Sequence, residues 1–260
     1  MNKVNTKIIS IINQKGGVGK TTTACNLSFF LGLLNKKTLV LDLDPQGNLS
    51  TSLGVDNEDR YIGMYEVLSG LSDIRESIIK ISDNLDVISA NVNLSAIQIE
   101  AINKSRREYI LKNAIEKISS KYDFILIDCP PSLGILSINA LVCSEYVIIP
   151  SQSEFLSLEG LSHLIQTIKL IQINYNKNLS ILGILITMYD RRNKLSDIVV
   201  NDIKNCLPNL LFENMIPRTV KLAEAPSHGK PIAIYDPKSI GALAYERLAN
   251  EVLRKVSKMY

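Results

Sequence analysis

The sequence predicts an α/β fold, a mostly parallel sheet covered by helices on both faces, in a single domain over residues 1–260. Three observations predict it. Short apolar runs rich in Val, Ile and Leu alternate with helix-periodic segments along the chain. A glycine-rich loop joins the first run to the first helix. Asp44 and Asp128 close two other runs, and sheets of this class bind ligands at the carboxyl ends of their strands.

Taken in order, "KIISIIN" (7–13) is apolar and β-branched, which suits a buried parallel strand. The loop follows, and then "TTTACNLSFFLGLLN", with apolar residues at helical spacing. "TLVLDLD" (38–44) predicts a second strand and "LDVISA", around Val87, a third. "YDFILIDCP" is the clearest strand and closes on Asp128; "EYVIIPS" and "ILGILITMY" follow as two more. Helical patterns cover 108–119, 159–174, 196–206 and 241–258. "IPRTVKLAEAPSHGKPI" carries Pro217, Pro226 and Pro231, which predicts a constrained loop in place of a regular element.

The 260 residues contain no Pro/Gly/Ser-rich linker, charge block or internal repeat, so one domain is expected. The polar start, "MNKVNTK", predicts no secretory leader, and no apolar run reaches the ~18–20 residues of a membrane span. Cys25, Cys129, Cys143 and Cys206 are scattered and lack metal-ligand spacing, which predicts a reducing cytoplasm and argues against zinc or iron–sulfur centres. His163 and His228 read as neither catalytic nor metal-binding. The net charge of +3 is uneven: residues 187–260 hold twelve Lys and Arg against eight Asp and Glu. That bias is compatible with a polyanion partner.

The loop itself reads "NQKGGVGKTT" (13–22). Its last part matches the G-x-x-x-x-G-K-[ST] pattern, with Gln14 standing where the first glycine belongs. The fold expected is therefore a P-loop NTPase with an altered front end. Backbone N–H groups of Lys15, Gly16, Gly17, Val18, Gly19, Lys20, Thr21 and Thr22 can turn toward phosphate oxygens at a helix N-terminus. Lys20 is placed for the β- and γ-phosphates and the Thr21 hydroxyl for Mg²⁺. Asp128, ending an apolar strand, is the expected second Mg²⁺ ligand. Asp44 is expected to orient the attacking water, and it joins Thr21 and Asp128 as a metal candidate. Asp42 is expected to face another way along its strand, with membership of a metal shell as the alternative.

"KGGVGKTT", "LDLDPQGN", "DCPPSLG" and "IPRTVKLAEAPSHGKPI" together resemble the ParA family of partition ATPases, and most of all its small Soj-like members. The resemblance implies ATP and ADP as nucleotides and an ATP-dependent homodimer, in which Lys15 reaches the nucleotide of the partner subunit. A cation supplied in trans would neutralise developing phosphoryl charge as an arginine finger does. The resemblance further implies that Met188 and Pro217 border the adenine. It places Arg192, Arg218, Lys221 and Lys230 toward double-stranded DNA, bound without sequence preference. It also implies a ParB-like protein that stimulates an otherwise slow hydrolysis, a cytoplasmic, nucleoid-associated location, and chromosome or plasmid DNA as cargo. No N-terminal helix-turn-helix domain is expected, because the loop starts near residue 14. Competing readings are a MinD-like membrane-positioning ATPase, which would use the last helix as a membrane anchor, an iron-protein-type electron carrier, and a nucleotide-binding scaffold without turnover. No stable membrane association is expected, since that helix lacks Trp and Phe and suits core packing.

Overall fold

The apolar runs become seven strands: β1 (Lys7–Ile11), β2 (Thr38–Asp42), β3 (Ile79–Ser82), β4 (Leu85–Ile88), β5 (Phe124–Asp128), β6 (Tyr146–Gln152) and β7 (Ser180–Thr187). The computed structural model describes residues 6–102, 104–154 and 157–258, so the polar start at 1–5 lies outside the described residues. The strands form one sheet in the order β3-β4-β2-β5-β1-β6-β7. Among the described residues only β3 runs antiparallel to its neighbour; the other pairs are parallel. Every residue of β2 and β5 is buried, as a sheet covered on both faces requires.

Alternation along the strands divides the core in two. Leu39, Leu41, Ile125, Ile127, Val147, Ile149, Ile184 and Ile186 face one layer, packed under the helices Ile135–Cys143, Ser157–Asn174 and Lys194–Cys206. Ile9, Ile11, Val40, Leu126, Ile148 and Leu185 face the other, under the helices Lys20–Leu33 and Ile240–Lys258. The last helix buries Ala242, Tyr245, Leu248, Ala249, Val252 and Val256 in that core. Its stripe through Leu248, Val252 and Val256 is therefore used in packing. Its Glu251 is also buried and accepts hydrogen bonds from the Glu213 and Asn214 backbone N–H groups (2.7 and 3.0 Å), fixing the turn ahead of Ile216. No helix among the described residues is long and apolar enough to cross a membrane.

The structure corrects several expectations. The 108–119 pattern yields a shorter helix, Ile110–Ile115, flanked by 3₁₀ turns. The helix Ile135–Cys143 was not expected, because "ILSINALVC" is apolar all round and carries no amphipathic stripe. The edge strand β3 was also missed: "IKIS" is short and only half-buried. The proline-rich segment is not simply a loop. Thr219 caps a helix, Val220–Glu224, by accepting from Lys221 N, and Pro226 then sits in the first turn of a 3₁₀ helix, where it displaces no hydrogen bond.

Candidate functional site

β1 lies between β5 and β6, whose chain positions fall on opposite sides of the sheet order, so the loop after β1 opens at the switch point of the sheet. Asn13 ties the loop down: its Nδ2 donates to Pro150 O (2.7 Å) and its Oδ1 accepts from Lys15 N (3.0 Å). Gly17 and Gly19 have φ of 71° and 85°, a region costly for side-chain-bearing residues, and these conformations turn the loop onto the helix Lys20–Leu33. Thr187, at the end of β7, donates its hydroxyl to Val18 O (2.8 Å), and Gln152, at the end of β6, donates to Gly17 O (3.2 Å). Strand ends on one side thus hold the loop's shape.

Lys20, the first residue of that helix, is only 6% exposed, and its Nζ donates to Lys15 O (3.1 Å). Burial lowers its pKa, while the charges of Asp128 and Asp44 act to raise it. The expected residues Lys20, Asp44 and Asp128 are therefore electrostatic neighbours. Asp128 ends β5 with both carboxylate oxygens buried and without a hydrogen-bond partner among the described residues. Burial first, then the charge of Asp42, push this carboxyl well above the usual carboxylate range. The Thr21 hydroxyl lies near enough to favour the charged form, and Lys20 acts in the same direction.

Asp42 departs from the first of its two expectations. It does not face away; it pairs in register with Asp128 and lies in the same pocket of charge. Its carboxylate accepts from Asp44 N (3.2 Å), Ser50 N (2.9 Å) and Ser50 Oγ (2.7 Å), so it braces the loop that carries Asp44. Burial raises its pKa, and those same bonds partly offset the rise. Asp44 lies two residues past the end of β2, half-buried, with Oδ1 accepting from Gln46 N (3.0 Å).

This donor set fits Mg²⁺. Two unclaimed carboxylate oxygens of Asp128 lie beside the Thr21 hydroxyl, all hard oxygen ligands, and a buried unpaired carboxylate is costly unless a cation answers it. Among the described residues no three or more His, Cys, Asp or Glu side chains gather as an all-protein cage. Mg²⁺ needs none, since it commonly takes one or two protein ligands with waters and phosphate oxygens.

On the rim, Met188 and Pro217 come together through paired neighbours: Tyr189 N donates to Ile216 O (3.0 Å) and Arg218 N to Tyr189 O (3.0 Å). Met188 has φ of 52° and is 38% exposed, with its Sδ accepting from Gln152 (3.0 Å). Lys15 reaches away from the loop, its Nζ 2.6 Å from Glu154 Oε2. Of the four expected DNA-facing cations, Arg192 is bound to Asp190 through Nε (3.0 Å) and Nη2 (2.8 Å), and Arg218 is close enough to act on the same carboxylate. Lys221 pairs with Glu224 (3.1 Å), and Lys230 is exposed. Sequence reasoning brought these together only as a list of charges. It missed Gln152, Glu154 and Thr187 altogether, because each sits at or just past a strand end and carries no motif.

The AAA domain family matches residues 6–181. Soj of Bacillus subtilis (strain 168), a sporulation initiation inhibitor protein, is 48% identical over 248 residues, covering 95% of this chain and 98% of that protein. The chromosome-partitioning ATPase Soj of Treponema pallidum (strain Nichols) is 46% identical over 251 residues, covering 96% and 98%. Among solved structures, a cobyrinic acid a,c-diamide synthase from Mycobacterium smegmatis with bound ATP analogue and magnesium superimposes with a TM-score of 0.87 at 33% identity, covering 98% of this chain and 97% of that one.

Proposed function

We propose, for a chain that belongs to the Soj/ParA family of chromosome-partitioning ATPases, that ATP binding joins two copies into a DNA-binding dimer and that hydrolysis releases it. The observation that carries this reading is the meeting of Lys20, Thr21 and the unpartnered Asp128 carboxylate where the loop leaves β1.

The loop amides from Lys15 to Thr22 cradle the phosphates of ATP, and Lys20 exchanges Lys15 O for β- and γ-phosphate oxygens. Thr21 and Asp128 would hold Mg²⁺. That ion would supply positive charge against the phosphoryl oxygens. Asp44, on a loop braced by Asp42, orients the water in line with the γ-phosphorus. Met188 and Pro217 border the adenine. Lys15 serves the nucleotide of the second copy, so dimerisation and the full positive charge at the transition state arrive together.

The dimer binds double-stranded DNA without sequence preference through Arg192, Arg218, Lys221 and Lys230. Phosphate contacts carry no base information, and two weak patches in one dimer gain avidity. A ParB-like protein stimulates hydrolysis, which is slow alone, and the product dimer falls apart. This is the work of the ATPase domain, acting in the cytoplasm on the nucleoid. Co-sedimentation with DNA in ATP, in ADP and without nucleotide tests it: DNA should pellet the protein with ATP alone. Equal pelleting in all three conditions, or none with ATP, would refute the nucleotide switch.

A further inference from the structure

Lys15 is the loop cation that phosphate cradling in its own subunit does not need, and it is already engaged. Its ammonium pairs with Glu154 at 2.6 Å, the two side chains being 44% and 57% exposed. Among the described residues, the pair is the outermost of three contacts between residues 13–17 and the end of β6 with the residues just past it. Asn13 donates to Pro150 O, and Gln152 donates to Gly17 O. The inner bonds fix backbone; the Lys15–Glu154 bond fixes where the ammonium rests. Holding the ammonium on Glu154 of its own subunit competes with its lying against phosphates of another.

We infer that Glu154 is a positioning residue that holds Lys15 in the monomer, so that the dimer forms only when the partner's nucleotide takes the lysine from it. The inference rests on the reading above, in which Lys15 acts in trans. A triphosphate with its charge is the stronger acceptor, so the exchange is favourable, but each subunit must break one ion pair first. The pair is exposed, and this sets its size. Such pairs shift an equilibrium by about two- to fivefold each. Two break per dimer, so the dimer dissociation constant is raised by about four- to 25-fold. Screening weakens the pair, so this increment shrinks as ionic strength approaches ~1 M.

The test is sedimentation equilibrium of wild type, Glu154→Gln, Glu154→Asp and Lys15→Gln with Mg²⁺ and a non-hydrolysable ATP analogue, at low and high salt. Thermal melting confirms that each variant folds, and Glu154→Ser replaces the glutamine should it fail. Glu154→Gln is expected to dimerise about four- to 25-fold more tightly at low salt, with the advantage narrowing at high salt. Glu154→Asp, whose carboxylate reaches less far, should fall between it and wild type. Monomer affinity for the analogue should not change. An unchanged or weaker dimer in Glu154→Gln overturns the inference. A wild type that shows no analogue-dependent dimer overturns the trans role of Lys15, and this inference with it. A wild-type dimer with a silent Glu154→Gln removes the inference alone.

Discussion

Asp42 and Asp128 stand in register on the neighbouring parallel strands β2 and β5, yet three donors bind the first and none among the described residues binds the second. The two carboxylates divide the work. Asp42 is satisfied by the protein and braces the loop of Asp44. Asp128 has neither carboxylate oxygen answered by a described residue, at a cost to the fold.

Asp128→Asn should therefore stabilise the protein without nucleotide and end its response to Mg²⁺. Removing a buried, unpaired charge beside another acid should gain about 1–2 kcal/mol. For a chain of this size that is roughly 2–6 °C in Tm. Differential scanning fluorimetry with and without Mg²⁺-ATP reads both effects. A variant that melts lower than wild type, or that Mg²⁺-ATP still stabilises normally, would contradict the assignment.

The same variant should reveal a pH dependence. Burial raises the folded-state pKa of Asp128 well above its unfolded value, and that of Asp42 to about 6. A raised acid binds extra protons in the folded state, so its stabilising share is present at low pH and lost as pH rises through the folded pKa. The Tm advantage of Asp128→Asn over wild type should thus be small near pH 5 and widen toward pH 8. A gap that is constant or narrows with pH would count against a raised Asp128.

Asp44→Ala should keep ATP binding and lose hydrolysis. Asp44 lies outside the phosphate cradle, and the loop around it stays anchored by Asp42 through Ser50. Loss of water positioning should lower turnover about 100-fold or more. Phosphate release assays beside equilibrium ATP binding separate the two steps. Unchanged turnover would assign the water to another group.

Arg192→Ala and Arg218→Ala should weaken DNA binding and spare ATP-dependent dimerisation. Each lost phosphate contact should lower the slope of log affinity against log salt by about one, or roughly two for a dimer. Asp190 adds a discriminating case. The Arg192 side chain, then its backbone N–H, hold the Asp190 carboxyl down to about 2, so it stays ionised and competes with phosphate for both arginines. Asp190→Asn should therefore bind DNA more tightly, by about two- to fivefold at low salt. Fluorescence anisotropy on two unrelated duplexes over a salt series measures all three. Wild-type slopes in both arginine variants would move the patch elsewhere, with Arg247, Arg254 and Lys255 of the last helix next in line.

The sequence alone determined the strand–loop–helix at residues 7–33, the phosphate-loop pattern around Lys20, and Asp128 as the acid closing an apolar strand. These are local features: period, glycine placement and a residue type at a strand end are written in consecutive positions. The tertiary structure decided who answers whom. Asp42 reads from its neighbours as a strand residue among others, and only the pairing of β2 with β5 sets it against Asp128. Glu154 and Thr187 meet the loop from 139 and 169 residues away, a distance no motif spans. The proline-rich segment became partly helical because a threonine cap and packing of Leu222 and Ile232 into the core outweighed its prolines. Propensity acts within a few residues, whereas burial and hydrogen-bond satisfaction are properties of the packed chain, and at these positions packing decided.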